Sequence, residues 1–88
     1  MIQIDFTTKP KEITQEYVVS EFGHKYTLDE NGSCHSYNDN PAYWWADETR
    51  EWFSHGLRHR DNDLPAVIYP NGYKEWWKKG NLLRKEYP

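Results

Sequence analysis

The sequence predicts a mainly β domain, an antiparallel meander of hairpins built from units of about 24 residues. Three observations predict it. A shift of 24 residues lays residues 31–50 on residues 55–74 without a gap. Short β-prone runs rich in Val, Ile, Tyr and Trp alternate with Asn-Gly or Lys-Gly turns, which is hairpin punctuation. The run from Pro65 to Trp77 is broken too often by proline and glycine to hold a helix.

The alignment within the chain is specific. Gly32 falls on Gly56, His35 on His59, Asn38-Asp39 on Asn62-Asp63, and Pro41-Ala42 on Pro65-Ala66. A second shift places Glu51-Trp52-Phe53 on Glu75-Trp76-Trp77, Gly56 on Gly80, and Arg60 on Arg84. Two full units result, with partial ones on either side.

In chain order, residues 1–6 alternate Ile2, Ile4 and Phe6 on one face and read as a strand. Residues 11–22 carry Ile13, Thr14, Val18 and Val19, which favour a strand, with a short helix as the alternative. Residues 22–25 then serve as a hairpin turn. Lys25 to Leu28 followed by Asn31-Gly32 reads as a degenerate unit. Residues 65–69 form a short strand, whose opening proline sits where a missing N–H matters least. Asn71-Gly72 turns the chain, residues 73–77 return it, Gly80 turns it again, and residues 82–87 close the meander. The charged run from Lys74 to Lys79 reads as a solvated strand edge and turn. The whole chain is one domain, with residues 1–25 as an N-terminal segment and residues 26–88 as the hairpin repeats.

Composition narrows function. The net charge is −3 and the bases are interspersed with acids, so nucleic acid is not expected as a partner. One cysteine, Cys34, excludes an intrachain disulfide framework and suits a reducing compartment. No signal-like start and no long apolar run is present, so a cytoplasmic protein without a membrane association is expected.

Two stretches look like chemistry. Residues 59–63, "HRDND", have the letters of a kinase catalytic loop, but the chain is far too short and has no glycine-rich nucleotide loop. His59 and Arg60 instead recur as scaffold positions, expected to donate hydrogen bonds to loop carbonyls or to Asp61 and Asp63 and brace a link. Cys34, His35, His55 and His59 are soft ligands, but no duplicated ligand pair is present. No metal, no cofactor and no catalytic residue is expected.

The aromatic doublets carry more information. Neighbours in a strand point to opposite faces, so Trp44 and Trp45, Trp52 and Phe53, and Trp76 and Trp77 must divide between two sides. One ring of each doublet is expected in the core. The second face needs cover, from the N-terminal segment or from a second copy in a homodimer. The alternative is a recognition row of Tyr43, Trp45, Phe53, Tyr69, Tyr73 and Trp77, residue types that commonly anchor interfaces. A protein-binding module is therefore expected, with a carbohydrate- or cell-wall-binding aromatic array as the alternative.

The stretch "EWFSHGLRHRDNDLPAVIYPNGYKEWWKKGNLLR" resembles MORN-like repeats of the pattern W-x-x-x-G-x-x-H-R-x-x-x-x-P-A, found in small proteins of tailed bacteriophages and in large DNA viruses. The likeness covers residues 31–84. It rests on Trp52, Gly56, His59, Arg60, Pro65, Ala66, Gly72, Trp76, Trp77 and Gly80, with Gly32 upstream. The pattern departs at Ser36, Glu48 and Leu83, which stand where arginine, the turn glycine and histidine are expected. The resemblance implies a non-enzymatic hairpin array that binds a protein. A phage origin further implies an inhibitor or modulator of a host protein, such as a defence or regulatory factor, inside the infected bacterium.

Overall fold

Runs of β-branched and aromatic residues become short strands, and residues tolerant of positive φ become the reversals between them. A computed structural model describes residues 16–88, and no helix occurs among them. The strands are β1 (Val18–Val19), β2 (Lys25–Tyr26), β3 (Tyr43–Trp44), β4 (Arg50–Glu51), β5 (Phe53–Ser54), β6 (Leu57–Arg58), β7 (Val67–Ile68), β8 (Lys74–Lys78) and β9 (Asn81–Glu86). Seven form one antiparallel sheet in the order β9-β8-β7-β4-β3-β2-β1, and β5 and β6 make a separate two-stranded ribbon. The expected strand at residues 1–6 lies outside the described residues. Of residues 11–22, the described part contains β1, which pairs with β2 through a turn at Gly23.

The strand order corrects one expectation. Lys74–Lys78 pairs with β7 on one side and β9 on the other, so it lies inside the sheet. The edge is β9, exposed along its length and interrupted by a register shift between Leu82 and Arg84. Such an irregularity roughens an otherwise open edge.

Trp52 and Trp76 are buried to 4% and 7% exposure, beside Ala42, Ala66 and Val67, which are fully buried. Each tryptophan withdraws on the order of 200 Å² from water, worth roughly 5 kcal/mol at about 25 cal/mol/Å². The links between hairpins cover these rings. Trp52 Nε1 donates to the Asp39 carbonyl at 2.9 Å, and Trp76 Nε1 to the Asp63 carbonyl at 3.0 Å. Arg60 lies over the Trp52 ring at 3.8 Å and Arg84 over the Trp76 ring at 3.9 Å. Asn38, Asp39, Asn62 and Asp63 take left-handed φ in the two links, which short polar side chains tolerate better than others. Each of these contacts has its counterpart 24 residues away.

Histidines fasten one hairpin to the next. His35 Nδ1 accepts from the His55 amide at 3.0 Å, and His59 Nδ1 from the Lys79 amide at 3.0 Å. Arg60 grips Asp39 with two nitrogens, at 3.0 and 3.2 Å, and gives a third bond to the Pro65 carbonyl at 3.0 Å. His59 meets the Asp61 carboxylate through Nε2 at 3.0 Å, as expected, and its Nδ1 accepts the Lys79 amide in addition. Arg60 meets a loop carbonyl, that of Pro65, as expected, and its carboxylate partner is Asp39 in place of Asp61 or Asp63. The described residues include no helix long and apolar enough to cross a membrane.

Candidate functional site

One face of the sheet is dominated by rings. Its central row runs Val18, Tyr26, Tyr43, Glu51, Val67, Glu75 and Lys85 across seven strands. At one end, Tyr26 stacks on Tyr43 at 5.6 Å, and Tyr43 contacts Trp45 at 4.6 Å. His24 meets the edge of Trp45 at 4.9 Å, and Phe22 extends the cluster outward. At the other end, Tyr73 bridges Tyr69 at 5.2 Å and Tyr87 at 5.0 Å.

Two carboxylates between the clusters fix the rings. Buried Glu51 accepts from Trp45 Nε1 at 2.7 Å and from Arg58 Nε at 3.0 Å. Glu75 accepts from Trp77 Nε1 at 2.8 Å and from the Tyr73 hydroxyl at 2.9 Å. Arg58 also lies over the Trp77 ring at 5.0 Å, joining the two sets. Burial first, and the hydrogen bond to Glu75 second, push the Tyr73 phenol up to about 12. Burial also raises the Tyr43 and Tyr69 phenols. These hydroxyls stay protonated at neutral pH. The polar handles of Trp45, Tyr73 and Trp77 are spent inward, leaving ring surface to meet a partner, and a ring held by a charge-assisted bond loses little further freedom on docking.

The six residues expected in a recognition row are placed unevenly. Tyr43, Trp45, Tyr69, Tyr73 and Trp77 share the face. Phe53 opens the separate ribbon opposite Arg58 and lines a neighbouring cleft. Only two doublets divide between core and surface: Trp52 and Trp76 are buried, while Phe53 and Trp77 are half-buried. In the first doublet neither ring enters the core, because Trp44 and Trp45 precede the turn at residues 46–48, away from the links that cover Trp52 and Trp76. His24, Tyr26 and Tyr87 join the face without having been singled out. The alternation of His24 with Tyr26 was the available signal.

The cleft, of about 260 Å³, holds the residues that look catalytic. His59 Nδ1 is occupied by the Lys79 amide, so Nε2 carries the proton and donates to Asp61 at 3.0 Å. That bond first, with Lys78 adding to it, holds the Asp61 carboxyl below its usual range. Arg60 is spent on Asp39, Pro65 and Trp52. Both His59 nitrogens and the Arg60 fork thus have partners within the fold. Burial chiefly raises the Cys34 thiol, with Glu51 and Asp29 adding to it, which disfavours a thiolate. Among the described residues no three His, Cys, Asp or Glu side chains cluster as a metal site would require. Gly32, Gly56, Gly72 and Gly80 all sit at positive φ in turns, and Pro65 is buried at the end of a link. Comparison of the chain with protein-family models, with curated proteins and with solved structures gives no significant match.

Proposed function

We propose that the protein is a non-enzymatic binding module that docks another protein on its aromatic face and acts by occlusion. The observation that carries this reading is the pair of ring clusters pinned by Glu51 and Glu75, with Trp45 37% exposed between His24 and Tyr43. Rigid aromatic surface of this kind concentrates binding energy in few residues. The resemblance of residues 31–84 to phage repeat proteins supports a bacterial host protein as the partner, met in the cytoplasm of the infected cell.

The experiment is affinity capture from host lysate with mass spectrometry. Wild type should enrich one protein, and folded Trp45→Ala and Trp77→Ala variants should lose it. Enrichment of nothing across plausible hosts, or equal enrichment by wild type and variants, contradicts the proposal. Selective glycan-array binding with tryptophan quenching supports the carbohydrate alternative instead. A second copy occupying the face is recognised by light scattering at two concentrations.

A further inference from the structure

The opposite face of the sheet carries a second cross-strand row, independent of the aromatic face. Strand register aligns Lys25 with Trp44, Trp44 with Arg50, Arg50 with Ile68, and Ile68 with Lys74. Directly opposed residues on neighbouring strands project from the same side. The result is an alternation of cation and apolar side chain over five adjacent strands. Trp44 lies between two of the cations, with Lys25 Nζ 5.3 Å and Arg50 Cζ 5.9 Å from its ring centre, and its Nε1 is held by Glu48 at 3.1 Å. Glu86 ends the row opposite Lys74. Even so, among the described residues no carboxylate comes within 4.0 Å of the charged nitrogens of Lys25, Arg50 or Lys74. Arg58, Arg60, Lys78 and Arg84 each pair with an acid, whereas Lys79 in the turn before Gly80 and Lys85 on the aromatic face, like the three cations of the row, show no ion pair among the described residues. Three of the five lysines and arginines that have no ion pair among the described residues thus fall in one line, on a protein of net charge −3.

Spacing identifies what fits the line. Adjacent strands lie about 4.8 Å apart, so cations on every second strand recur at about 9.6 Å. A polyproline II segment has three residues per turn and rises about 3.1 Å per residue, so every third side chain returns to the same side after about 9.3 Å. Carboxylates at that interval meet Lys25, Arg50 and Lys74 in turn. Nucleic acid fits less well. Phosphates of one duplex strand recur about every 3.4 Å along the axis, and the protein's overall negative charge repels a polyanion. We propose that the row Lys25, Trp44, Arg50, Ile68 and Lys74 is a second docking surface, for an acidic protein segment in polyproline II conformation with a carboxylate at every third residue.

Fluorescence anisotropy at low salt tests this with a short proline-rich peptide carrying glutamate at every third position. Wild type should bind it. A peptide of the same composition with its glutamates clustered, and one with glutamine in their place, should each bind at least about tenfold more weakly. The combined Lys25→Gln, Arg50→Gln and Lys74→Gln variant should lose at least about tenfold in affinity with its circular dichroism unchanged. Lys85→Gln, on the aromatic face, should change affinity less than about twofold. Should the triple variant fail to fold, Lys25→Gln alone, at an exposed side chain, should weaken binding about threefold, the scale of one surface ion pair. Equal binding of the glutamine peptide or of the clustered peptide, tighter binding of a single-stranded DNA oligomer, or no binding by wild type overturns the proposal. None of these results depends on the partner of the aromatic face.

Discussion

Asp29 accepts from His55 Nδ1 at 2.7 Å and from the amides of Asn31 and Ser33, and these bonds, His55 first, hold its carboxyl down to about 2. A carboxyl with a depressed pKa in the folded state stabilises the fold above its ordinary value near 3.8 and loses that contribution as pH falls toward 2. The urea midpoint of wild type should therefore drop between about pH 4 and pH 2. Asp29→Asn should show a shallower drop, with the remainder supplied by Asp47 and Asp61, whose carboxyls are also held low. An unchanged slope would contradict the assignment. The two arginines on tryptophan make a second comparison. Arg60→Lys sacrifices the planar fork on Asp39 and the stack on Trp52, and should cost about 1–3 kcal/mol in denaturant titrations. Arg84 is 54% exposed and reaches Asp63 only at 3.6 Å, so Arg84→Lys should cost less than about 1 kcal/mol. The sequence marked His59 and Arg60 as scaffold through their recurrence. It could not say that Arg60 grips Asp39, which is 21 residues away in the chain.

Hairpins depend on the residue at the reversal. Gly72 turns with φ 95° and Glu48 occupies the corresponding turn with φ 81°. A side chain there costs about 1–2 kcal/mol relative to glycine, and Glu48 recovers part of it by accepting from Trp44 Nε1. Glu48→Gly should thus stabilise the protein by up to about 1 kcal/mol in thermal melts, and a loss of stability would contradict the strain. Gly56→Ala should go the other way, because a Cβ at φ 90° would also stand 3.3 Å from the Ser33 Cβ. At this scale the strands at residues 67–68, 74–78 and 81–86 were legible from Asn71-Gly72, Gly80 and the runs between them. The interior position of Lys74–Lys78 was not. The hairpins at Asn71-Gly72 and Gly80 set β7 and β9 on either side of it, and the lysine-rich composition of the run masked what those two turns imply.

The whole molecule is elongated, 50 × 28 × 21 Å, because each hairpin adds its strands along one direction. Links cover Trp52 and Trp76 on the side that also carries Lys74, and the aromatic side sets rings of mostly intermediate exposure around buried Glu51 and Val67. A domain of 88 residues has total stability of roughly 4–13 kcal/mol. Trp76→Ala, at about 3–5 kcal/mol, removes a large share of it. Trp45→Ala, at a partly exposed ring, should leave a folded protein. The shared face of Tyr43, Trp45, Tyr69, Tyr73 and Trp77 was legible from strand alternation. The cationic row was not, since Lys25, Arg50 and Lys74 are far apart in the chain and meet only through register. The most direct measurement is the dissociation constant of the captured partner for folded Trp45→Ala and His59→Gln variants side by side. Recognition by the aromatic face predicts at least about tenfold weaker binding for Trp45→Ala and less than about twofold change for His59→Gln. Intact binding by Trp45→Ala together with loss in His59→Gln would place recognition in the polar cleft and contradict it.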